Sequence, residues 1–233
     1  LSNDEVWRCH QAAKAGLIQR VGEAAGVSLD PDLPIIGFAR RMTGYKRPLL
    51  LFSDIERLKA IAARHPFQVV MAGKAHPKDG DGKDAIRRLH EVIGELSGSI
   101  TCVYLPNYDL DLAKTLVAGC DVWLNTPQPP MEASGTSGMK AAINGVLNLS
   151  TLDGWWVEAH IEGVTGWAIG NDDGSHEDDA DELYEKISGT VLPLFHDDPA
   201  GWRSMMKQAI GNIAYYFNSQ RMMRRYASEA YLR

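Results

Sequence analysis

The sequence predicts an α/β protein built on a doubly wound, Rossmann-like parallel sheet, and three observations carry that prediction. Short apolar runs recur at intervals that leave room for one helix between each pair, which is βαβ spacing. Several runs are apolar at nearly every position, as strands covered on both faces must be. The segments between them carry helix start and stop residues. In such a sheet ligands gather at the carboxyl ends of the strands.

In chain order, a helix is expected over 4–25 and a first strand over 34–39. A helix over 48–64 follows, with Pro48 suited to its first turn. The strand 67–72 precedes a helix over 84–96, the strand 100–105 a helix over 109–118, and the strand 121–125 a helix over 137–144. Gly145 closes that last helix as a left-handed cap. Strands over 146–150 and 165–169 complete the sheet. The acidic stretch 171–181, with Gly174, Ser175 and His176, reads as an exposed loop and not a domain linker or metal site. Helices over 181–187 and 199–217 close the chain. One domain over 1–233 is expected, with residues 1–30 leading into it and 195–233 closing it. The chain opens on Leu1, not Met, as a piece of a longer polypeptide would.

The 233 residues are 45% hydrophobic and 23% charged, enough to bury a substantial core. A net charge of −6 gives no basic footprint for nucleic acid or anionic membrane, so an anion site must be a local cluster of Lys and Arg in a pocket. Cys9, Cys102 and Cys120 are odd in number and lack metal-ligand spacing. That argues against disulfides and zinc and for a reducing, cytoplasmic setting. No apolar run approaches the ~20 residues that span a bilayer, and no basic-then-apolar leader precedes the first helix.

Three segments bear chemistry. Arg40-Arg41 followed by Tyr45-Lys46-Arg47-Pro48 places cations between the first strand and the next helix. Free amides, helix dipole and side-chain charge would there favour an anion, against the plainer reading of a solvated basic turn. Gly73-Lys74-Ala75-His76 adds a lysine at the same edge, with an ordinary polar loop as the alternative; His76 reads as a loop residue. Most informative is the run Met131 to Lys140. Gly135 and Gly138 let amides approach a ligand, while Ser134, Thr136 and Ser137 offer hydroxyls. Lys140, one turn into the helix, would face the same cavity and could form a Schiff base with an aldehyde if desolvated, and Glu132 could accept from sugar hydroxyls. Domains that bind nothing there also carry such turns. The pair Trp155-Trp156 after Asp153-Gly154 reads as packing, and Asp153 with Glu158 makes no glycosidase pair on spacing alone.

Together these segments resemble the α-glucan (glycogen, starch and maltodextrin) phosphorylases, in the right order along nearly the whole chain. Arg40-Arg41 with Tyr45-Lys46-Arg47, Gly73-Lys74-Ala75, and Asn107-Tyr108 with Leu112-Ala113 carry the resemblance first. Glu132-Ala133-Ser134-Gly135-Thr136 through Met139-Lys140, then Asn144-Gly145 and Thr151-Leu152-Asp153-Gly154, continue it. The resemblance implies the carboxy-terminal half of a B-type glycosyltransferase fold, acting in phosphorolysis of α-1,4-glucan by inorganic phosphate to glucose 1-phosphate. It implies pyridoxal 5′-phosphate carried by Lys140, with Gly135, Thr136, Ser137, Arg40 and Tyr108 around the cofactor. Arg41 and Lys46 would bind the substrate phosphate, and Glu132, Ser134 and Gly135 the glucosyl unit. The catalytic set is then Lys140, Arg41 and Lys46, with no metal. The resemblance also implies an amino-terminal partner domain absent from this chain, so that the chain alone would turn nothing over; self-association is left open. Thr43-Gly44, Asp109, Ser137-Gly138 and Trp155-Trp156 depart from the animal and plant pattern and look like the shorter microbial branch. Two other readings stand beside this one: a nucleotide-sugar-dependent glycosyltransferase of the same fold, and a non-catalytic sugar- or phosphate-binding module.

Overall fold

The computed structural model describes residues 1–170 and 178–232. Six strands form one parallel sheet: β1 Ile35–Arg41, β2 Gln68–Lys74, β3 Thr101–Leu105, β4 Val122–Asn125, β5 Leu147–Thr151 and β6 Gly166–Ile169. Their spatial order is β3-β2-β1-β4-β5-β6, so the winding reverses between β1 and β4. That reversal is the Rossmann-like arrangement the spacing predicts, and it opens a crevice at the carboxyl ends of β1 and β4. Every expected strand is present to within two residues.

Strand side chains alternate between two cores, as a pleat of period two requires. Ile36 and Phe38 of β1 and Val69 and Met71 of β2 enter one core. There they meet Leu58 and Ile61 of α2 (Ile55–Arg64) and Leu89 and Val92 of α3 (Gly80–Glu95). The same core takes Leu183 of α7 (Asp179–Lys186), Leu192 of α8 (Leu192–Asp197) and Trp202 and Met206 of α9 (Pro199–Ala214). Ile35 and Ala39 point the other way, onto Leu17 and Val21 of α1 (Asn3–Ala25) and Leu112 and Leu116 of α4 (Leu110–Gly119). Two short helices, α5 (Thr136–Ile143) and α6 (Trp156–Ala159), follow β4 and β5. The chain closes on α10 (Ser219–Arg225), which buries none of its residues.

Helix α1 is tied to the sheet by ions. The Asp121 carboxylate, fully out of water, takes His10 Nε2 at 2.9 Å and Lys14 Nζ at 2.9 Å. It also accepts the Ile35 amide at 2.8 Å, while Lys14 donates to Leu33 O at 2.7 Å. Burial alone would raise the Asp121 pKa, but His10, Lys14 and the Ile35 amide together hold it below the ordinary carboxylate value.

Two expectations are corrected. The helix predicted over 48–64 begins only at Ile55. Arg47 turns left-handed (φ 46°), Leu50–Phe52 forms a 3₁₀ turn that buries Leu51 and Phe52, and Asp54 caps α2 by accepting the Arg57 amide. The basic segment therefore lies at a single 3₁₀ turn, Gly44–Lys46, and not at the amino terminus of α2. At the other end, the helix predicted over 199–217 stops at Ala214, and Asn218 starts α10 by capping the Arg221 amide. Gly145 is left-handed as expected (φ 83°). Of the loop expected over 171–181, residues 171–177 lie outside the described residues, and Asp179–Lys186 is helical. Among the described residues no helix is long and apolar enough to cross a membrane, and no group of three or more His, Cys, Asp or Glu is placed to hold a metal.

Candidate active site

The carboxyl ends of the strands gather most of the residues singled out above. Arg40 is the penultimate residue of β1 and is buried; Arg41 beside it is exposed and lies in register with the exposed Lys74 of β2. Lys46 is drawn inward because its turn is stitched to the strand opposite. Thr126 Oγ1, just after β4, donates to Lys46 O at 3.0 Å, and the Gln128 amide donates to Tyr45 O at 2.7 Å. Arg47 completes this seam by donating to Thr126 O at 2.8 Å and Pro127 O at 3.1 Å.

Two of these cations meet one carboxylate. Glu132 Oε2 accepts from Arg40 Nη2 at 2.6 Å and is also paired with Lys46 Nζ. The three side chains are only 7, 9 and 10% exposed for Arg40, Lys46 and Glu132, so this is an interior ion cluster with one positive charge in excess. Burial pushes the Glu132 pKa up, but the Lys46 hydrogen bond and the Arg40 charge outweigh it and hold the carboxyl below its usual range. Arg40 Nη1 is buried with no partner among the described residues, leaving one donor for something else. Burial raises the Tyr108 pKa, and the Arg40 charge works against that rise.

Asp153 fixes where Glu132 sits. Its Oδ2 accepts the Glu132 amide at 2.8 Å and its Oδ1 the Gly154 amide at 2.8 Å, so the turns after β4 and β5 are held together. The Trp155 amide donates to Ser134 O at 2.8 Å, adding a second tie. Sequence reasoning weighed Asp153 only as a possible acid and missed this positioning role. The Asp-Gly dipeptide was its one visible signal.

From that turn α5 departs. Gly135 stands at its N-cap in the left-handed region (φ 85°), which a residue with a Cβ adopts reluctantly. Lacking a side chain it caps nothing, so the first-turn amides and the positive end of the helix are left for an anion. The N-caps of α1, α2, α3, α4, α9 and α10 supply a side-chain acceptor, whereas those of α6, α7 and α8, like that of α5, do not. Gly138 is buried against β5 and Trp155; a Cβ there would come within 2.7 Å of Asn148 Oδ1 and 2.8 Å of Trp155 Nε1. Ser137 accepts from the core Trp123 indole at 3.3 Å, so its oxygen helps to seat the helix.

Lys140 is exposed and lines a cavity of about 800 Å³ together with Ser134, Thr136, Trp155, Phe217 and Arg221. Arg40, Arg41, Lys46 and Tyr108 do not line it. The structure thus brings Ser134, Thr136 and Lys140 together on one side of the turn, and Arg40, Lys46 and Glu132 on the other. Arg41 and Lys46 take no part in the lining of the cavity that Lys140 borders. Nor does this chain desolvate the Lys140 amine. Trp155 and Trp156 are buried, as the packing reading expected. His76 is an exposed loop residue whose Nδ1 accepts the Lys78 amide.

Residues 2–166 match the family model described as carbohydrate phosphorylase. The chain belongs to that family. It is 41% identical to a glycogen phosphorylase of Aquifex aeolicus (strain VF5), over 99% of this chain and 37% of that protein. It is 40% identical to a maltodextrin phosphorylase of Thermococcus litoralis, over 99% of this chain and 30% of the relative. A glycogen phosphorylase of Mycobacterium tuberculosis is 38% identical over 88% of this chain and 25% of its own length. The chain therefore spans about a third of the length of these phosphorylases. The family match ends within β6, so the closing helices fall outside it.

Proposed function

We propose that this chain is the cofactor-carrying, carboxy-terminal part of an α-glucan phosphorylase, which cleaves α-1,4-glucan with inorganic phosphate to give glucose 1-phosphate and runs the reaction in reverse. The observation that carries the reading is the buried Glu132–Arg40–Lys46 cluster, with a spare Arg40 donor and one excess positive charge, at the foot of a helix whose amino terminus is uncapped. Phosphate needs such a place: fixed cations and free amides at a sheet edge.

The residues present suit pyridoxal 5′-phosphate. Lys140 supplies an amine, the uncapped amides of Thr136 and Ser137 with the Thr136 hydroxyl supply donors for a phosphate, and Arg40 Nη1 awaits an acceptor. When bound, the group would supply a second phosphate able to exchange a proton with the substrate phosphate near neutral pH, the second pKa of a phosphate ester being about 6.

The chain's own residues would do the rest. Substrate phosphate competes with Glu132 for Lys46 and is met from outside by Arg41, the exposed neighbour of Arg40. Loss of the Lys46 contact leaves Glu132 free to accept from hydroxyls of the glucosyl unit, beside Ser134 and Gly135. Asp153 keeps the Glu132 backbone in place through this exchange. Exposure of Lys140 and Arg41 means that water must be excluded by something beyond this chain, and the amino-terminal remainder of a phosphorylase is the proposed cover; without it the chain is inactive.

The test is made on the full-length polypeptide with maltodextrin and inorganic phosphate. Release of glucose 1-phosphate, together with a borohydride-stable pyridoxyl adduct mapped by peptide mass to Lys140, is the expected result. K140R should lose the adduct and at least about a thousandfold in rate, since positioning of the acid–base group would be gone. An adduct-free protein that still phosphorolyses glucan would defeat the assignment.

A further inference from the structure

A second concavity, of about 310 Å³, lies away from the candidate active site, between α1, the loop before β1 and the turn from α8 to α9. Asp32, on its wall, precedes β1, so the cleft opens beyond the amino edge of the sheet, opposite Arg40 and Glu132. Trp7, Phe195 and Trp202 give it an aromatic wall. The Trp7 and Phe195 rings meet edge-on at 6.3 Å, and the Phe195 and Trp202 rings at 5.0 Å. Gln11, Asp32 and Arg203 supply the polar side.

Two donors on these lining residues are unspent. The indole N–H of Trp202, a residue 1% exposed, and Nε of Arg203 are both buried and have no acceptor among the described residues. A buried donor without a partner is costly enough that native proteins rarely leave one without water or ligand, and here two belong to adjacent residues lining one cleft. Arg203 is already held in place, with Nη1 3.0 Å from Asp4 and its guanidinium 5.3 Å from the centre of the Trp7 ring.

We infer that this cleft is a separate carbohydrate-binding site that takes one neutral pyranose of a glucan chain. The charges decide against a phosphate: Arg203 is the one Lys or Arg in the lining, Asp4 already pairs with it, and Asp32 offers a further negative charge. Sugar hydroxyls need both kinds of partner, and the cleft has acceptors in Asp32 and Gln11 and donors in the Gln11 amide, with the unspent Trp202 and Arg203 N–H groups buried in the residues of its wall. The apolar face of a pyranose suits the Trp7 and Phe195 rings. The volume stands at the lower end of ligand cavities, roughly 300–1,000 Å³, which fits one ring and not a long chain. That the sugar is a glucosyl unit rests on the proposed function; the site itself does not.

The experiment follows the Trp202 indole N–H resonance of the ¹⁵N-labelled full chain, identified by its disappearance in W202F, as maltotriose is added. A saturable shift of that resonance, with affinity lowered about tenfold or more in W7A and unchanged in E132Q, is the result expected. A resonance unmoved by maltotriose, moved equally by inorganic phosphate, or responding in W7A but not in E132Q would overturn the assignment. Phosphorolysis does not enter the readout, so failure of the enzymatic reading leaves this result intact, and the reverse also holds.

Discussion

Glu132 and Asp121 are both carboxylates held ionised in the interior by two basic side chains, yet they answer to different demands. Asp121 receives His10, Lys14 and the Ile35 amide, and Lys14 donates in addition to Leu33 O. Removing it strands the buried Lys14 charge, so D121N should lose about 3–5 kcal/mol, read as a lower guanidinium midpoint with an unchanged slope. Glu132 stands beside an unspent donor and faces the strand ends. E132Q should lose less stability, about 1–3 kcal/mol, and should slow release of glucose 1-phosphate from maltodextrin by the full-length polypeptide. Both carboxyls are held below their unfolded pKa. The stability each gives is therefore fully present above the ordinary carboxylate value, near ~4, and is lost as pH falls through the lowered folded value. Acid titration followed by far-UV dichroism should show a shallower loss of stability in E132Q than in the parent across that window.

At the scale of elements, the helix that carries Lys140 is short, and its placement depends on contact more than on propensity. Gly138 sits against Asn148 and Trp155, whose indole N and Asn148 Oδ1 lie closer than 3.0 Å to where a methyl would go. G138A must push α5 off β5 and should cost about 1–3 kcal/mol through overpacking; the check is thermal unfolding together with the Trp155 environment in near-UV dichroism. The Gly135-Thr136-Ser137-Gly138 run was legible as a turn entering a helix. That Gly138 serves packing, and that Ser137 accepts from Trp123, was not, because Asn148, Trp155 and Trp123 lie on neighbouring elements that only the fold brings against α5. The false helix start at Pro48 has a similar origin. Proline is favoured at a first helical turn, but the β4 seam through Thr126 and Gln128 holds residues 45–47 in another path, and Asp54, six residues after Pro48, offers a better cap.

For the molecule as a whole, both faces of the sheet are covered by a buried core. Cys120 lies fully buried between α1 and the sheet, where burial drives its thiol pKa far up, and burial pushes Cys102 up to about 12. Cys9 is exposed. A thiol reagent at pH 8 should therefore titrate one cysteine in the native chain and three after unfolding; rapid reaction of a second thiol would show that one face of the sheet opens easily. At the carboxyl edge, by contrast, Lys140, Arg41 and Lys74 are exposed, and α10 presents Met222 and Met223 to solvent.

What the sequence determined by itself was the sheet: strand number, order of elements and the edge where cations gather. Apolar runs at βαβ spacing leave little choice of fold, since each run must be covered on both faces and each intervening segment is long enough for one helix. The motif residues were also readable, through their order along the chain. Only the tertiary structure decided which of them meet. Ion pairing placed Glu132 on Arg40 and Lys46 instead of leaving it free, and Lys140 came to line a cavity with Trp155, Phe217 and Arg221. Spacing along a chain fixes which side chains share an element, whereas the partner of a buried charge is chosen by the low-dielectric interior, where an unpaired ion is too costly to keep.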